Sequence, residues 1–262
     1  MKIKVLGCHG SDQILIGRNG PHHCGACGFL VNGTLLIDAG TVGSRLSLNE
    51  QRSIRHVLVS HIHFDHIREL PTLVDNLGGD DPVPVTVAGI GAVLKGIEQH
   101  IFNGAVYPNF FRLPRSDRPV LIAQTLEPRE EQTLSGLRVV PILVNHTIPT
   151  AGFIVSDRAS AILYSGDTYR TDELWHVASR VPTLKAAFIE TSFPDEMAEL
   201  AKVSKHLTPT LLAEEFAKIG RPDLPLYVYH LKPRFRDRIV HQLRDLAIPR
   251  LVVLEEGQEI EV

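Results

Sequence analysis

Six consecutive residues, His61-Ile62-His63-Phe64-Asp65-His66, constrain this chain more than any other stretch. They follow an apolar run at 56–60 that reads as a strand. They precede residues 68–77, where Leu70, Leu73, Val74 and Leu77 fall at helical spacing. Three imidazoles and a carboxylate at the end of a buried strand are costly unless something pairs with them. Both groups are natural ligands of zinc and similar transition metals. Alternate side chains of an extended segment point the same way, so His61 and His63 can grip one ion. The turn that follows can swing Asp65 and His66 toward a second.

The rest of the chain supplies the frame. Residues 2–6 read as a strand, and Phe29-Leu30-Val31 and Leu35-Leu36-Ile37 flank the hairpin signal Asn32-Gly33. Further strands are expected at 83–88, 137–144, 152–156, 161–164, 184–189, 226–229 and 251–254, and helices at 93–102 and 234–246. Thr208-Pro209 opens another helix, threonine suiting the N-cap and proline the first helical position. Trp175, beside Leu174 and Val177, is expected on a helix packed into the core or an interface. Strands come first as hairpins and then alternate with helices, and the pattern occurs twice. It implies an α/β fold of two sheets face to face with helices outside, a four-layer αββα sandwich forming one domain over residues 1–262. With 44% hydrophobic residues a chain of this length can bury a full core. The N-terminus alternates lysine with apolar residues and lacks a signal-peptide core, and no apolar run is long enough to span a membrane. Three cysteines make no disulfide framework, so a cytoplasmic location is expected. A formal charge of −3 without a long basic block argues against a dedicated nucleic-acid surface and favours a small-molecule partner.

Three later landmarks each follow a predicted strand: His146 in Val144-Asn145-His146-Thr147, Asp167 in Ser165-Gly166-Asp167-Thr168, and His230 after residues 226–229. With the HxHxDH stretch in front of them, the chain resembles the metallo-β-lactamase superfamily along essentially its whole length. The resemblance implies the αββα fold and a two-metal site. In it His61, His63 and His146 hold one divalent ion, Asp65, His66 and His230 hold the other, and Asp167 bridges both. The ions would be Zn, Mn or Fe according to supply. Such a pair suits hydrolysis, with a bridging hydroxide as nucleophile.

Two more stretches narrow the chemistry. Ile189-Glu190-Thr191-Ser192-Phe193 puts a carboxylate at the end of a buried strand, and Ser204-Lys205-His206-Leu207-Thr208-Pro209 puts a histidine at a helix start. A glutamate bonded to that histidine would raise its pKa and let it donate a proton to a leaving alkoxide. Free amides at the helix start suit a phosphate oxygen, which makes Thr208 a candidate substrate contact. Together these stretches resemble the phosphodiesterase branch that contains tRNase Z and, most closely, the class II cyclic-nucleotide phosphodiesterases, as do Asp38-Ala39-Gly40-Thr41 and His230-Leu231-Lys232. That resemblance implies His206 as general acid, Glu190 as its partner and Asp65 as the residue orienting the nucleophile. It makes Lys232 a candidate phosphate contact, a solvated lysine being the alternative. The implied activity is hydrolysis of 3′,5′-cyclic nucleotides, cAMP or cGMP, to 5′-nucleotides by a homodimer. The alternatives are cleavage at RNA 3′ ends or of another cyclic phosphate, such as the ribosyl cyclic phosphate of phosphonate breakdown. The RNA reading lacks an arm. Such enzymes carry a protruding Gly/Pro-rich arm, and here only a short predicted hairpin separates His146 from Asp167. A catalytically silent nucleotide sensor is a third possibility, for which a poised acid has no use.

Two features depart from that pattern. Gly7-Cys8-His9-Gly10-Ser11 keeps a glycine-rich loop without the family's usual residues. His22-His23-Cys24-Gly25-Ala26-Cys27 carries CxxC spacing. Cys8, Cys24 and Cys27 with His22 or His23 form a candidate structural zinc site, which would hold a third ion; small buried thiols are the alternative. Arg234, Arg236 and Arg238 form a basic run beside His230, either a solvated helix face or an attractor of phosphate. His9, His56, His100, His176 and His241 are expected to pack or to lie at the surface.

Overall fold

The structure is a computed structural model that describes residues 1–17, 20–78 and 82–262, except for the His22 side chain. Its frame is two seven-stranded sheets. The first runs, in spatial order, Leu121–Thr125, Val85–Gly89, His56–Leu58, Leu35–Ile37, Gly28–Val31, Lys2–Gly7 and Glu259–Glu261. The second runs Gln132–Leu134, Leu137–Leu143, Ala151–Ser156, Ala161–Tyr164, Leu184–Glu190, Leu226–Tyr229 and Leu251–Val253. Each sheet has antiparallel pairing in one half and parallel pairing in the other. The repeated hairpin-then-alternation pattern of the sequence is this duplication.

Side-chain alternation builds the layers. Along the second sheet Ile162, Tyr164, Ala186, Phe188 and Tyr229 join a core shared with the first sheet. Leu163, Ala187, Ile189, Leu226 and Val228 face the opposite way and pack with Leu174, Trp175, Leu212, Phe216, Ile239 and Leu243, which come from helices. On the first sheet's outer side lie Leu70–Leu77 and Gly91–His100. The result is the expected four layers. Phe29 joins the two sheets, with its ring centroid 5.6 Å from Tyr164, 5.4 Å from Tyr229 and 6.2 Å from Phe188. A buried aromatic of this kind is worth about 3–5 kcal/mol to a fold.

Local chemistry explains the elements and the misses. Asn32 (φ 48°) and Gly33 (φ 71°) turn the first hairpin, and Thr34 N–H bonds Val31 C=O at 3.1 Å. The helix predicted over 68–77 is Leu70–Leu77, and a separate short helix, Phe64–Ile67, precedes it. The hairpin Gln13–Gly17/Gly20–Cys24 and the edge strands Leu121–Thr125, Gln132–Leu134 and Glu259–Glu261 were not anticipated. These segments are short and polar or exposed, so they lack the apolar run that marks a buried strand. Trp175 is in the core as expected, and its Nε1–H donates to Glu215 Oε2 at 2.8 Å. No helix among the described residues is long and apolar enough to cross a membrane.

Candidate functional site

Most of the chemistry-bearing residues follow the C-terminal ends of strands, and they meet at one end of the sandwich. Asp38 follows Leu35–Ile37, His61 follows His56–Leu58, and His146 follows Leu137–Leu143. Asp167 follows Ala161–Tyr164, Glu190 ends Leu184–Glu190, and His230 follows Leu226–Tyr229. Asp38 (φ 55°) and His230 (φ 69°) occupy the left-handed region, a strain of order 1–3 kcal/mol each that persists because the surroundings hold it. His230 N–H is fixed to Cys8 C=O at 2.6 Å, and Gly10 lies against its ring, where a Cβ would come within 2.8 Å of Cε1. The glycine-rich first loop therefore seats a candidate ligand.

The ring nitrogens show what the cluster is built for. His66 Nδ1 lies 2.7 Å from Asp38 Oδ2 and must donate, because a carboxylate only accepts. His146 Nδ1 donates to Lys205 C=O at 3.0 Å. Ser60 Oγ donates to Asp38 Oδ2, so it accepts from His61 Nδ1–H at 2.9 Å. Ser192 Oγ donates to Glu190 Oε2, so it accepts from His230 Nδ1–H at 2.8 Å. Four rings thus carry a proton on the outer nitrogen and turn Nε2 inward.

The inner atoms converge. His63 Nδ1 stands 3.1 Å from His61 Nε2 and 3.1 Å from His146 Nε2, and His61 Nε2 is 3.6 Å from Asp167 Oδ2. In a second group His66 Nε2 is 3.2 Å from His230 Nε2. There Asp167 contributes contacts of 3.3 Å to His66 and 3.2 Å to His230, and Asp65 Oδ2 lies 3.4 Å from His230 Nε2. Lone pairs facing one another at such distances repel. A tetrahedral ion with bonds of about 2.0–2.1 Å spaces its ligands about 3.3–3.4 Å apart. Asp167 Oδ1 is buried and meets no donor in hydrogen-bonding geometry. The donor set therefore fits a divalent-metal site, and the structure brings the seven residues predicted as ligands to one place.

Protonation follows the same logic. Burial lowers His63 to about 4 and pushes His61, His146 and His230 down, favouring the neutral form that binds metal. Burial also opposes charge on His66, but the Asp167 and Asp38 carboxylates outweigh it and raise its pKa well above the ordinary value. A cation at this place satisfies the same two carboxylates.

Beside the cluster stands the predicted pair. His206 Nδ1–H donates to Glu190 Oε1 at 2.9 Å, and Ser192 Oγ is 3.1 Å away. Glu190 Oε1 also accepts from Thr168 N–H at 3.1 Å. Burial disfavours the imidazolium, but the Glu190 charge and hydrogen bond prevail and raise the His206 pKa. The ring is 7% exposed, and its centroid is 5.1 Å from that of His146. Lys205, in the left-handed conformation (φ 59°), ends the helix Ala198–Ser204. That turn supplies the carbonyl for His146 one residue before His206.

Among the predicted substrate contacts, Lys232 Nζ lies 3.7 Å from Asp65 Oδ2 and donates to Gly10 C=O. Thr208 is buried and caps its own helix, its Oγ1 accepting from Leu211 N–H. The candidate structural zinc residues are not gathered into one three-ligand cluster among the described residues. Among the described residues no cluster of three ligand atoms contains more than one of Cys8, Cys24 and Cys27. Cys27 lies with His66 and His230, and Cys8 with His9 and Glu256. The reason is the backbone: Cys24 pairs with Gln13 in the hairpin, while Ala26 bridges to His9 and carries Cys27 inward. Burial lifts the Cys24 thiol to about 11. His23 is exposed and contacts Arg45, and the His22 side chain lies outside the described residues. His9 is buried against Glu256 at 2.7 Å.

Sequence reasoning gave no role to Asp38, Ser60, Ser192 or the Lys205 carbonyl. Asp38 is 0% exposed and accepts four hydrogen bonds, from Ser60 N–H and Oγ at 2.8 Å and from His66 Nδ1 and Tyr164 Oη at 2.7 Å. Its one sequence signal was a carboxylate placed directly after a buried strand. Outer-shell partners of this kind typically contribute about 10–100-fold to metal affinity. The Asp38→Ala protein is expected to bind metal about 10–100-fold more weakly in a chelator competition. It should also lose about 3–5 kcal/mol in urea unfolding, since a buried partner is removed. Wild-type affinity in that variant would count against the arrangement.

Comparison with known proteins agrees with this geometry. A family model described as beta-lactamase superfamily domain matches residues 34–253. The uncharacterized protein Rv1339 of Mycobacterium tuberculosis is 28% identical over 239 residues, covering 89% of this chain and 81% of that protein. Ribonuclease Z of Haloferax volcanii is 24% identical over 287 residues, covering 89% of this chain and 88% of its own. The crystal structure of unliganded yeast PDE1 superposes with a TM-score of 0.80 at 20% identity, covering 98% of each chain, which shows a shared fold.

Proposed function

The chain belongs to the beta-lactamase superfamily, and from that premise we propose that it is a metal-dependent phosphodiesterase that hydrolyses 3′,5′-cyclic nucleotides to 5′-nucleotides. One observation carries the reading: a buried histidine, held by a buried glutamate and raised in pKa, stands beside the metal-ligand cluster. Hydrolysis of a phosphodiester expels an alkoxide, which needs a proton; hydrolysis of a good leaving group does not.

His61, His63, His146 and Asp167 would hold one cation, and Asp65, His66, His230 and Asp167 the other. Bound there, the cations supply an activated water and neutralise phosphoryl charge. The chain's own groups do the rest. The Asp65 carboxylate, 24% exposed, accepts a hydrogen bond from the attacking water and orients it. Burial would raise its pKa, but the neighbouring His230 and the positive charge favoured on His66 hold it well below the usual carboxylate range, so it stays an acceptor. Lys232 Nζ offers a positive contact to a non-bridging phosphate oxygen. His206, as imidazolium, gives its Nε2 proton to the leaving 3′-oxygen while Nδ1–H stays on Glu190. Ser192, bonded to Glu190, His206 and His230 together, keeps acid and ligand in fixed register.

A second reading, cleavage at RNA 3′ ends, is supported by the likeness to Haloferax Ribonuclease Z. The tight hairpin Ala151–Ser156/Ala161–Tyr164 between His146 and Asp167 disfavours it, because no arm projects there to grip an RNA. One assay separates the two. Protein loaded with Mn²⁺ or Zn²⁺ is expected to release 5′-nucleotide from 3′,5′-cAMP or 3′,5′-cGMP, and EDTA to abolish the release. Cleavage of pre-tRNA or a 2′,3′-cyclic nucleotide, without release from the 3′,5′ substrates, would overturn the cyclic-nucleotide assignment.

A further inference from the structure

A cleft of about 580 Å³ opens beside the metal-ligand cluster, between the hairpin strand Gln13–Gly17 and the segment 233–238. Its volume is that of a small-molecule pocket. Two runs of residues link it to the site. Lys232, next to Asp65, leads directly into Pro233 at the cleft wall. The Phe193 ring lies 5.8 Å from His206 on one side and 6.2 Å from Phe235 on the other, so aromatic rings step from the acid to the cleft.

The lining is mixed in a particular way. Phe235 is half-buried, with Arg234 5.6 Å and Arg238 5.0 Å from its ring centroid. Leu15 and the 81% exposed Ile16 face it from the hairpin. Of the three arginines, Arg236 pairs with Glu255 at 3.2 Å and Arg238 with Glu196 at 2.9 Å. Arg234 pairs with no carboxylate among the described residues. A track for a polyanion would leave its cations unneutralised along its length. Here most of the charge is already matched, and what remains beside Gln13 and the Asp237 carboxylate is an apolar aromatic wall with one guanidinium that pairs with no carboxylate among the described residues. That surface suits a flat heterocycle, which stacks on Phe235 and offers an acceptor edge to Arg234.

We propose that this cleft is the subsite for the base of the substrate, with Phe235 as the stacking platform and Arg234 as a donor to the base edge. The proposal rests on the phosphodiesterase reading, for which it names the recognised group as an aromatic nucleobase. It makes Phe235 a specificity residue, not a catalytic one.

The test is binding, read by calorimetry on metal-loaded protein with 5′-AMP and ribose 5-phosphate, which differ only in the base. Wild type is expected to bind 5′-AMP about tenfold more tightly than ribose 5-phosphate. Phe235→Ala is expected to erase that gap while leaving ribose 5-phosphate affinity within about twofold. Phe235→Leu, which keeps an apolar side chain against Phe193, guards against simple loss of fold and should narrow the gap in the same direction. Equal wild-type affinity for the two ligands, or a gap that survives both substitutions, would overturn the subsite. Turnover of methyl p-nitrophenyl phosphate, which has no base, tests the centre separately. If that turnover is absent, the phosphodiesterase reading fails; if it is present while the two ligands bind equally, only the subsite fails.

Discussion

The Asp167→Ala protein is expected to lose bound divalent metal and to turn over phosphodiesters about 10³-fold or more slowly than wild type. Both ligand groups depend on this one carboxylate. Its Oδ2 serves His61 and His230, its Oδ1 serves His66, and the whole side chain is 1% exposed. Removing it leaves inward-facing imidazole nitrogens with no anion between them. Two cations held near each other would then repel without a shared negative charge. The loss of several kcal/mol of transition-state stabilisation converts to that rate factor. Elemental analysis and steady-state kinetics on the same preparation give the answer. His241, on the surface and paired with Asp245, serves as the control, and His241→Ala is expected to keep both metal and turnover. Full metal content with undiminished turnover in Asp167→Ala would remove the two-cation arrangement.

The second large effect separates metal from acid. His206→Ala is expected to keep its metal, because five rings and two carboxylates would still face the cations, yet to lose about 10²–10⁴-fold in turnover of a cyclic nucleotide. An activated nitrophenyl ester, whose leaving group needs no proton, should lose far less. Equal losses on both substrates would argue against the acid role. Glu190→Gln gives a pH signature that a merely structural role would not. The active form of His206 is protonated, and the Glu190 charge raises its pKa against burial. Without that charge the pKa falls, so the decline of kcat on the alkaline side begins at lower pH than in wild type. An unmoved alkaline limb would mean that Glu190 does not tune this histidine.

The two layers of the site were unequally legible. The stretch 61–66 could be read directly, because several ionisable groups beside an apolar strand have no inexpensive alternative to pairing. His146, Asp167, Glu190, His206 and His230 were legible only through their order after that stretch; alone, each is a polar residue at a strand end. Asp38, Ser60, Ser192 and Lys205 carried almost no signal. Their work is to accept or relay one proton, and a serine oxygen or a main-chain carbonyl does this without any distinctive composition.

The cysteines show the limit of spacing as a guide. CxxC spacing suggested one site, but spacing along the chain is not proximity in space. Gln13–Cys24 pairing holds one thiol in the hairpin, whereas the Ala26–His9 bridge carries the other toward His66 and His230.

What the sequence determined by itself was the layer architecture and the set of metal-binding residue types, since alternation of apolar residues and the covalent order of strand, loop and helix are local properties. What only the tertiary structure decided was which nitrogen each imidazole turns inward, which groups hold the outer nitrogens, and where a cleft opens near them. Those depend on contacts between segments far apart in the chain: Asp38 with His66, Lys205 with His146, Glu190 with His206, and Phe193 with Phe235. A ring's tautomer is fixed by its distant partner, and no neighbour in sequence can supply that.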